Sequence, residues 1–186
     1  MFCNMLFNHD RNTIRLAASV AADSVVDGPG LRTVIWTQGC VHNCPECHNP
    51  QTHDCSGGQL YNVEDVCQQI LTNRQNITLS GGDPVLQPIQ VAQIAKFAKE
   101  HGLTVWMYTG FTFEYLLQQS ECHELLRWID VLVDGRFDIK QKTSELKFRG
   151  SRNQRLIDVP ASLASGSIVE WRDVMDSICR NDAELF

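Results

Sequence analysis

The sequence predicts an α/β protein, with mostly parallel strands inside and helices outside, folded as part of a (β/α) barrel. Short runs rich in β-branched and aromatic residues alternate with longer segments of helical periodicity from about residue 31 onward. The segments between the runs are long enough for crossovers, which join parallel neighbours and are right-handed. The chain has 186 residues, whereas a complete eightfold barrel takes about 250, so only part of one fits.

The elements follow in order. Residues 32–37, within "LRTVIWTQG", read as a buried strand that ends before Gly39. Residues 63–73, "VEDVCQQILTN", place Val63, Val66, Ile70 and Leu71 near helical spacing, with Asn62 as the N-cap. Residues 76–80, "NITLS", form a second strand running into Gly81-Gly82. Pro88 opens the next helix at its first position and Gly102 closes it. "LTVWMYT" at 103–109 is the third strand, 111–128 is one helix, and "IDVLVDG" at 129–135 is the fourth strand. In the tail, Ile168, Trp171, Val174, Met175 and Ile178 fall near one helical face. This count gives four strand-helix units in one domain spanning 1–186.

Composition excludes several roles. A net charge of −6 argues against a general nucleic-acid binder, which needs a broad basic face. No apolar run spans a bilayer, and "MFCNMLFNHDRNTIR" lacks the parts of a signal peptide, so a cytoplasmic protein is expected. Of the eight cysteines, Cys3, Cys55, Cys67, Cys122 and Cys179 are scattered, which suits a reducing compartment better than a disulfide scaffold. Seven of the 16 Lys and Arg residues (Arg136, Lys140, Lys142, Lys147, Arg149, Arg152 and Arg155) fall in one stretch. Such a run is either a solvated surface or a place for anion contacts and partner docking.

The other three cysteines carry the chemistry. Cys40, Cys44 and Cys47, in "GCVHNCPECHNP", have C-x3-C-x2-C spacing directly after the first strand. Three closely spaced thiolates suit three corners of an iron-sulfur cubane with the fourth iron open. The same spacing also fits buried apolar cysteines, a disulfide with a spare thiol, or a zinc knuckle completed by His42 or His48. After the second strand comes Ser80-Gly81-Gly82-Asp83-Pro84, where paired glycines admit a close approach to backbone and Asp83 offers a negative acceptor. By itself it also reads as a strand-end turn. Tyr108-Thr109-Gly110 and Asp134-Gly135-Arg136 follow the third and fourth strands. All these groups lie at carboxyl ends of strands, where α/β sheets bind ligands.

Together the cysteine motif and "SGGDP" resemble the radical S-adenosylmethionine superfamily. "VDGPGLRTVIWTQGCVHNCPECHNPQT", "VWMYTGF", "VLVDGRF" and "FRGSRNQR" narrow the resemblance to the activating enzymes of anaerobic (class III) ribonucleotide reductase. It covers roughly residues 14–156, leaving 1–13 and 158–186 as extensions. The resemblance implies a partial barrel of the radical S-adenosylmethionine type and a [4Fe-4S] cluster held by Cys40, Cys44 and Cys47. It further implies S-adenosylmethionine chelating the open iron, with Ser80, Gly81, Gly82 and Asp83 around its methionyl end and Asp83 on the ammonium. An electron from the cluster would break a carbon-sulfur bond, and the 5′-deoxyadenosyl radical would take hydrogen from a glycine of the large reductase subunit. The cluster and cofactor carry the chemistry, so no side chain is assigned as catalytic. A low-potential donor such as flavodoxin would supply the electron.

Weaker expectations attach to other residues. Thr109 and Gly110 would line the cofactor pocket, with Tyr108 in the core. Asp134 and Arg136 would bind ribose hydroxyls and the cofactor carboxylate, or form a surface ion pair. Arg149, Arg152, Asn153 and Gln154 would face the partner, or make a polar turn. Glu46 stands where many superfamily members carry an aromatic near the adenine, which leaves the adenine contacts unassigned. Cys55 is expected not to be a fourth ligand. His42 and His48 are either donors to cluster sulfurs or simple loop residues. The alternatives are an activase of another glycyl-radical enzyme, a small-molecule radical enzyme, and a zinc interaction module.

Overall fold

The computed structural model describes residues 10–173. Eight strands form one mixed sheet: β1 (Thr13–Leu16), β2 (Ala21–Ser24), β3 (Arg32–Thr37), β4 (Gln59–Asn62), β5 (Asn76–Gly81), β6 (Val105–Tyr108), β7 (Val131–Asp134) and β8 (Arg155–Asp158). Their order is β4-β1-β3-β5-β6-β7-β8, with β2 also paired to β3. The four strands expected from sequence are the four that pair in parallel, in register from Arg32↔Asn76 through Ile77↔Val105 to Trp106↔Val131. Antiparallel strands flank them: β1, β2 and β4 on one side, β8 on the other. The sheet runs from a β4 edge to a β8 edge and, among the described residues, does not close into a barrel.

The helices are α1 (Val63–Asn73), α2 (Pro88–Glu100), α3 (Phe113–Leu117), α4 (Ser120–Leu126) and α5 (Val159–Ser165). The Asn62 side chain accepts from Glu64 N–H and caps α1, as its position before the apolar periodicity predicts. Pro88 opens α2, and Gly102 takes φ +75° just past its end. The single helix expected over 111–128 is two. Thr112 caps α3 and Gln119 stands extended before α4, so the chain turns at Gln118-Gln119 and Leu116 and Leu125 both reach the core.

Strand alternation divides the interior into two faces. Ile35, Ile77, Leu79, Val105, Met107 and Leu132 pack with the buried sides of α1, α2 and α4. The alternate residues Trp106, Val131 and Val133 form a second cluster on the opposite face, with Tyr108, Phe148 and Trp171 against it. Arg32 is fully buried near that second cluster. Its guanidinium donates to Thr78 Oγ1 at 2.7 Å and to the Ile77 carbonyl, and lies 5.5 Å from the Trp106 ring centre. Burial lowers its pKa to about 10, which leaves it charged at neutral pH. The "DGPG" segment closes over this side chain: a Cβ at Gly28 would lie 2.7 Å from Arg32 Cδ.

The tail departs from its helical expectation. Residues 167–173 are not helical; Glu170 bridges Ile157, Trp171 N–H donates to the Leu156 carbonyl at 2.8 Å, and the Trp171 ring meets Trp106. Val174, Met175 and Ile178 lie outside the described residues, as do Cys3 and Cys179. Cys67 and Cys122 are buried free thiols, pushed up to about 11 by that burial, and serve the core.

Candidate functional site

A cavity of about 580 Å³ opens at the carboxyl ends of the parallel strands, within the range of about 300–1,000 Å³ usual for small-molecule sites. Cys40, Cys44 and Cys47 all line it, together with Ser80, Gly81 and Gly82. The cysteine loop is shaped by its own backbone. Gly39 N–H donates to the Thr52 carbonyl at 2.8 Å and Cys40 N–H to the His53 carbonyl at 3.1 Å. Asn43 and Glu46, each just before a cysteine, take φ +45° and +56°. These left-handed steps turn the loop back on itself ahead of Cys44 and Cys47. Burial pushes the Cys40 thiol up to about 11. Asn49 N–H points at Cys47 Sγ at 3.4 Å.

The glycines at the end of β5 serve the chain before any ligand. A Cβ on Gly81 would lie 2.3 Å from the Thr37 carbonyl oxygen, and one on Gly82 only 2.1 Å from that of Gly39. Gly82 N–H donates to Thr37 O and Asp83 N–H to Gly39 O, both at 2.8 Å. The turn after β5 is therefore pressed against the entry to the cysteine loop. Gly110 has the same role, since its Cβ would sit 2.3 Å from the His42 ring.

Asp83 is fully buried and does not line the cavity. Its carboxylate accepts from Thr109 Oγ1 at 3.0 Å, Gly110 N–H at 3.0 Å and Val85 N–H at 3.1 Å, and shares a 2.8 Å hydrogen bond with His42 Nε2. The acceptor expected to face a cofactor ammonium is thus occupied by the protein's own donors. Thr109 and Gly110 do line the cavity, and Asp83 joins them to His42 of the cysteine loop. Tyr108 packs on the inner cluster and also lines the cavity, its hydroxyl donating to the Phe148 carbonyl at 2.8 Å.

Asp134 and Arg136 do not form a ligand pair. Asp134 is 1% exposed and accepts from Arg155 Nε at 2.9 Å and from Phe113 N–H at 2.8 Å. Arg155 continues to Glu114 through bonds of 3.0 and 2.8 Å, and holds that carboxyl down at about 2. Arg136 is exposed and donates to the His42 carbonyl, pinning the cysteine loop from outside. Neither residue lines the cavity.

The late motif is a polar turn at the cavity wall. Gln154 Oε1 accepts from Gly150 N–H at 2.8 Å and its amide donates to the Gly135 carbonyl at 3.0 Å; Asn153 donates to the Arg136 carbonyl at 2.7 Å. These amides are spent within the chain. Arg149 lines the cavity, held by the Gln154 carbonyl at 2.8 Å, while Arg152 is exposed beside Glu145. Arg152 and Asn153 are exposed, and of the two only Asn153 spends its side-chain amide on the chain's own carbonyls. Sequence reasoning missed three aromatic side chains on the cavity, Trp36, Phe137 and Phe148, and also His53. Alternation along β3 could have found Trp36; the other three sit in loops without periodicity. Glu46 is exposed.

Known families cover the part of the chain that carries these motifs. The 4Fe-4S single cluster domain family matches residues 26–157, which takes in the cysteine loop, the glycine turn and the late motif. The chain is thus an iron-sulfur cluster domain protein. Anaerobic ribonucleoside-triphosphate reductase-activating proteins align over 70% of it: that of Escherichia coli K12 at 37% identity over 90% of its own length, and that of Haemophilus influenzae at 35% over 89%. The phage T4 protein of the same name is 35% identical over 86% of its length. The chain belongs to this family of activating proteins. Among solved structures, QueE from Escherichia coli overlaps 54% of this chain and 53% of its own at 14% identity and a TM-score of 0.42, too partial a likeness to carry weight.

Proposed function

We propose that the protein is a radical S-adenosylmethionine activase that installs a glycyl radical on the large subunit of an anaerobic ribonucleoside-triphosphate reductase. The observation that carries the reading is the convergence of Cys40, Cys44, Cys47 and the Ser80–Gly82 turn on one cavity at the strand ends. The donor set fits a [4Fe-4S] cluster: three thiols on a common cavity and a backbone cradle too close for any side chain at Gly82. When bound, the cluster would reduce the cofactor sulfonium, releasing methionine and the deoxyadenosyl radical that takes the glycine hydrogen.

The chain's own residues supply the rest. Cys40, Cys44 and Cys47 would hold the cluster through three of its irons, which would leave one free to take the cofactor. Ser80, Gly81 and Gly82 would bring backbone against the methionyl end of the cofactor, since the Asp83 carboxylate is already taken by the chain's own donors. Asp83 positions the loop by tying His42 to Thr109 and Gly110. Lys147 and Arg149 on the cavity wall are cationic side chains of the kind that bind a carboxylate. Trp36, Tyr108, Phe137 and Phe148 give the adenosyl group apolar walls that exclude water. The open mixed sheet is read as part of a (β/α) barrel, a low-potential carrier such as flavodoxin as the electron donor, and the whole 1–186 chain as one domain. Among the described residues no helix is long and apolar enough to cross a membrane; a cytoplasmic site of action is part of this proposal.

The test is to mix the reconstituted, reduced protein with S-adenosylmethionine and the large reductase subunit under argon. A glycyl-radical doublet appearing with equivalent methionine supports the reading. Cofactor cleavage without that doublet would move the protein to the small-molecule class or to another glycyl-radical partner.

A further inference from the structure

Among the described residues, only two buried side-chain nitrogen or oxygen atoms lack a hydrogen-bond partner, His53 Nε2 and Arg149 Nε. Both residues line the same cavity as the three cysteines. Buried polar atoms are almost always satisfied, so a pair of exceptions at one cavity marks a place where a bound group completes the bonding. For Arg149 the complement is an anion, already part of the proposed cofactor site. For His53 the position in the loop identifies a different acceptor.

His53 follows the short 3-10 turn Pro50–Thr52, and its N–H donates to the Pro50 carbonyl at 3.2 Å. Its own carbonyl accepts from Cys40 N–H at 3.1 Å, which fixes the residue beside the first cysteine. The other two histidines of the loop are engaged elsewhere. His42 Nε2 is bound to Asp83, with its ring edge-on to Phe111 at 4.4 Å, and His48 is exposed against Phe137. Of the three, His53 alone has a buried ring nitrogen without a partner, and the residue lines the cavity that the cysteines share.

We propose that His53 Nε2–H donates a hydrogen bond to a sulfur of the cluster bound by Cys40, Cys44 and Cys47, and thereby raises its reduction potential. The inference rests on the cluster reading above. Hydrogen bonds to cluster sulfurs stabilise the more negative, reduced state, so such a donor makes the cluster easier to reduce. His53 is a positioning and tuning residue here, since it touches neither substrate nor the open iron.

The experiment is a redox titration of the reconstituted protein, followed by electron paramagnetic resonance, for the parent, His53→Phe and His53→Gln. Iron and sulfide are counted in each. With equal cluster content, His53→Phe should titrate at a more negative potential than the parent, and His53→Gln, which keeps an N–H donor, should stay near it. Equal potentials for parent and His53→Phe would overturn the proposal, as would equal shifts in the Phe and Gln variants, which point to lost packing. If the Phe variant assembles no cluster, His53→Ala replaces it, and added imidazole should then move its potential back toward the parent; no response to imidazole overturns the proposal. A parent that forms no [4Fe-4S] cluster would instead remove the cluster reading itself, and this inference with it.

Discussion

Asp83 and Asp134 occupy comparable places, one just past the end of β5 and the other at the end of β7, and both are almost wholly buried at 0% and 1% exposure. From sequence Asp83 reads as a ligand-binding carboxylate and Asp134 as either that or half of a surface ion pair, yet both turn inward. The difference lies in what neutralises them. Asp134 meets a guanidinium, Arg155, that reaches on to Glu114 and joins β8 to β7 and α3. Asp83 meets a hydroxyl, two backbone N–H groups and the imidazole of the cysteine loop. One network closes the edge of the sheet and the other assembles the site. A carboxylate at a strand end is therefore a binding residue only after its partners are known.

The largest effect should come from the site side of this comparison. Cys44→Ala should abolish both cluster content and cofactor cleavage while leaving the fold intact, read by iron analysis and methionine release; cleavage at the parent rate would remove Cys44 from the ligand set. Gly82→Ala comes next. Its methyl would need the 2.1 Å now separating an ideal Cβ from Gly39 O, and overpacking of this kind costs about 1–3 kcal/mol or more. Thermal melting should drop and cluster retention fail together, and a parent-like melt would show that the turn can yield.

The two aspartates can then be set against each other. Asp134→Asn leaves Arg155 without its buried counter-charge and should destabilise the fold by roughly 1–3 kcal/mol in urea titrations, with cluster content per folded molecule unchanged. Asp83→Asn should do the reverse, with a smaller loss of stability and a larger loss of cluster. The same pattern in both variants would erase the distinction.

Acid separates them further. Arg155 holds the Glu114 carboxyl at about 2, below its ordinary 4.5. A carboxyl depressed on folding contributes stability above its unfolded value and loses that contribution as pH falls through the folded one. Glu114→Gln should therefore flatten the decline in stability between about pH 4.5 and 2, an effect kept small by the half-exposed position of Glu114. An unchanged acid limb would show that the edge network does not depend on that charge. Smallest of all, Arg152→Ala breaks only an exposed pair with Glu145 and should change stability by less than about 1 kcal/mol. If Arg152 docks the partner, reductase activation falls while uncoupled cofactor cleavage holds; an equal fall in both would argue against docking.

Much of this organisation was readable beforehand. The strand at 32–37, the helix at 63–73 with its Asn62 cap and the parallel order of four strands appear as expected, because each carries a strong local signal. The antiparallel strands β1, β2, β4 and β8 carry too little local signal: each has four residues, neither β2 nor β4 has a buried one, and their existence depends on partners distant in sequence. The three cysteines and the glycine turn were legible as motifs, but not the reason for the glycines. That reason is a backbone contact between Gly82 and Gly39, which no periodicity records. The roles given to Asp83 and Asp134 depended on which donors would reach them first, and the donors come from other elements. His53 was passed over because nothing in its spacing distinguishes it from an ordinary loop residue.

The central claim is that Cys40, Cys44 and Cys47 hold a cluster with one iron open to S-adenosylmethionine. The most direct test is the electron paramagnetic resonance spectrum of the anaerobically reconstituted, dithionite-reduced protein, recorded before and after the cofactor is added. A reduced [4Fe-4S] signal that changes on addition is the predicted result. A signal indifferent to the cofactor, or a colourless protein that retains stoichiometric zinc, would contradict it.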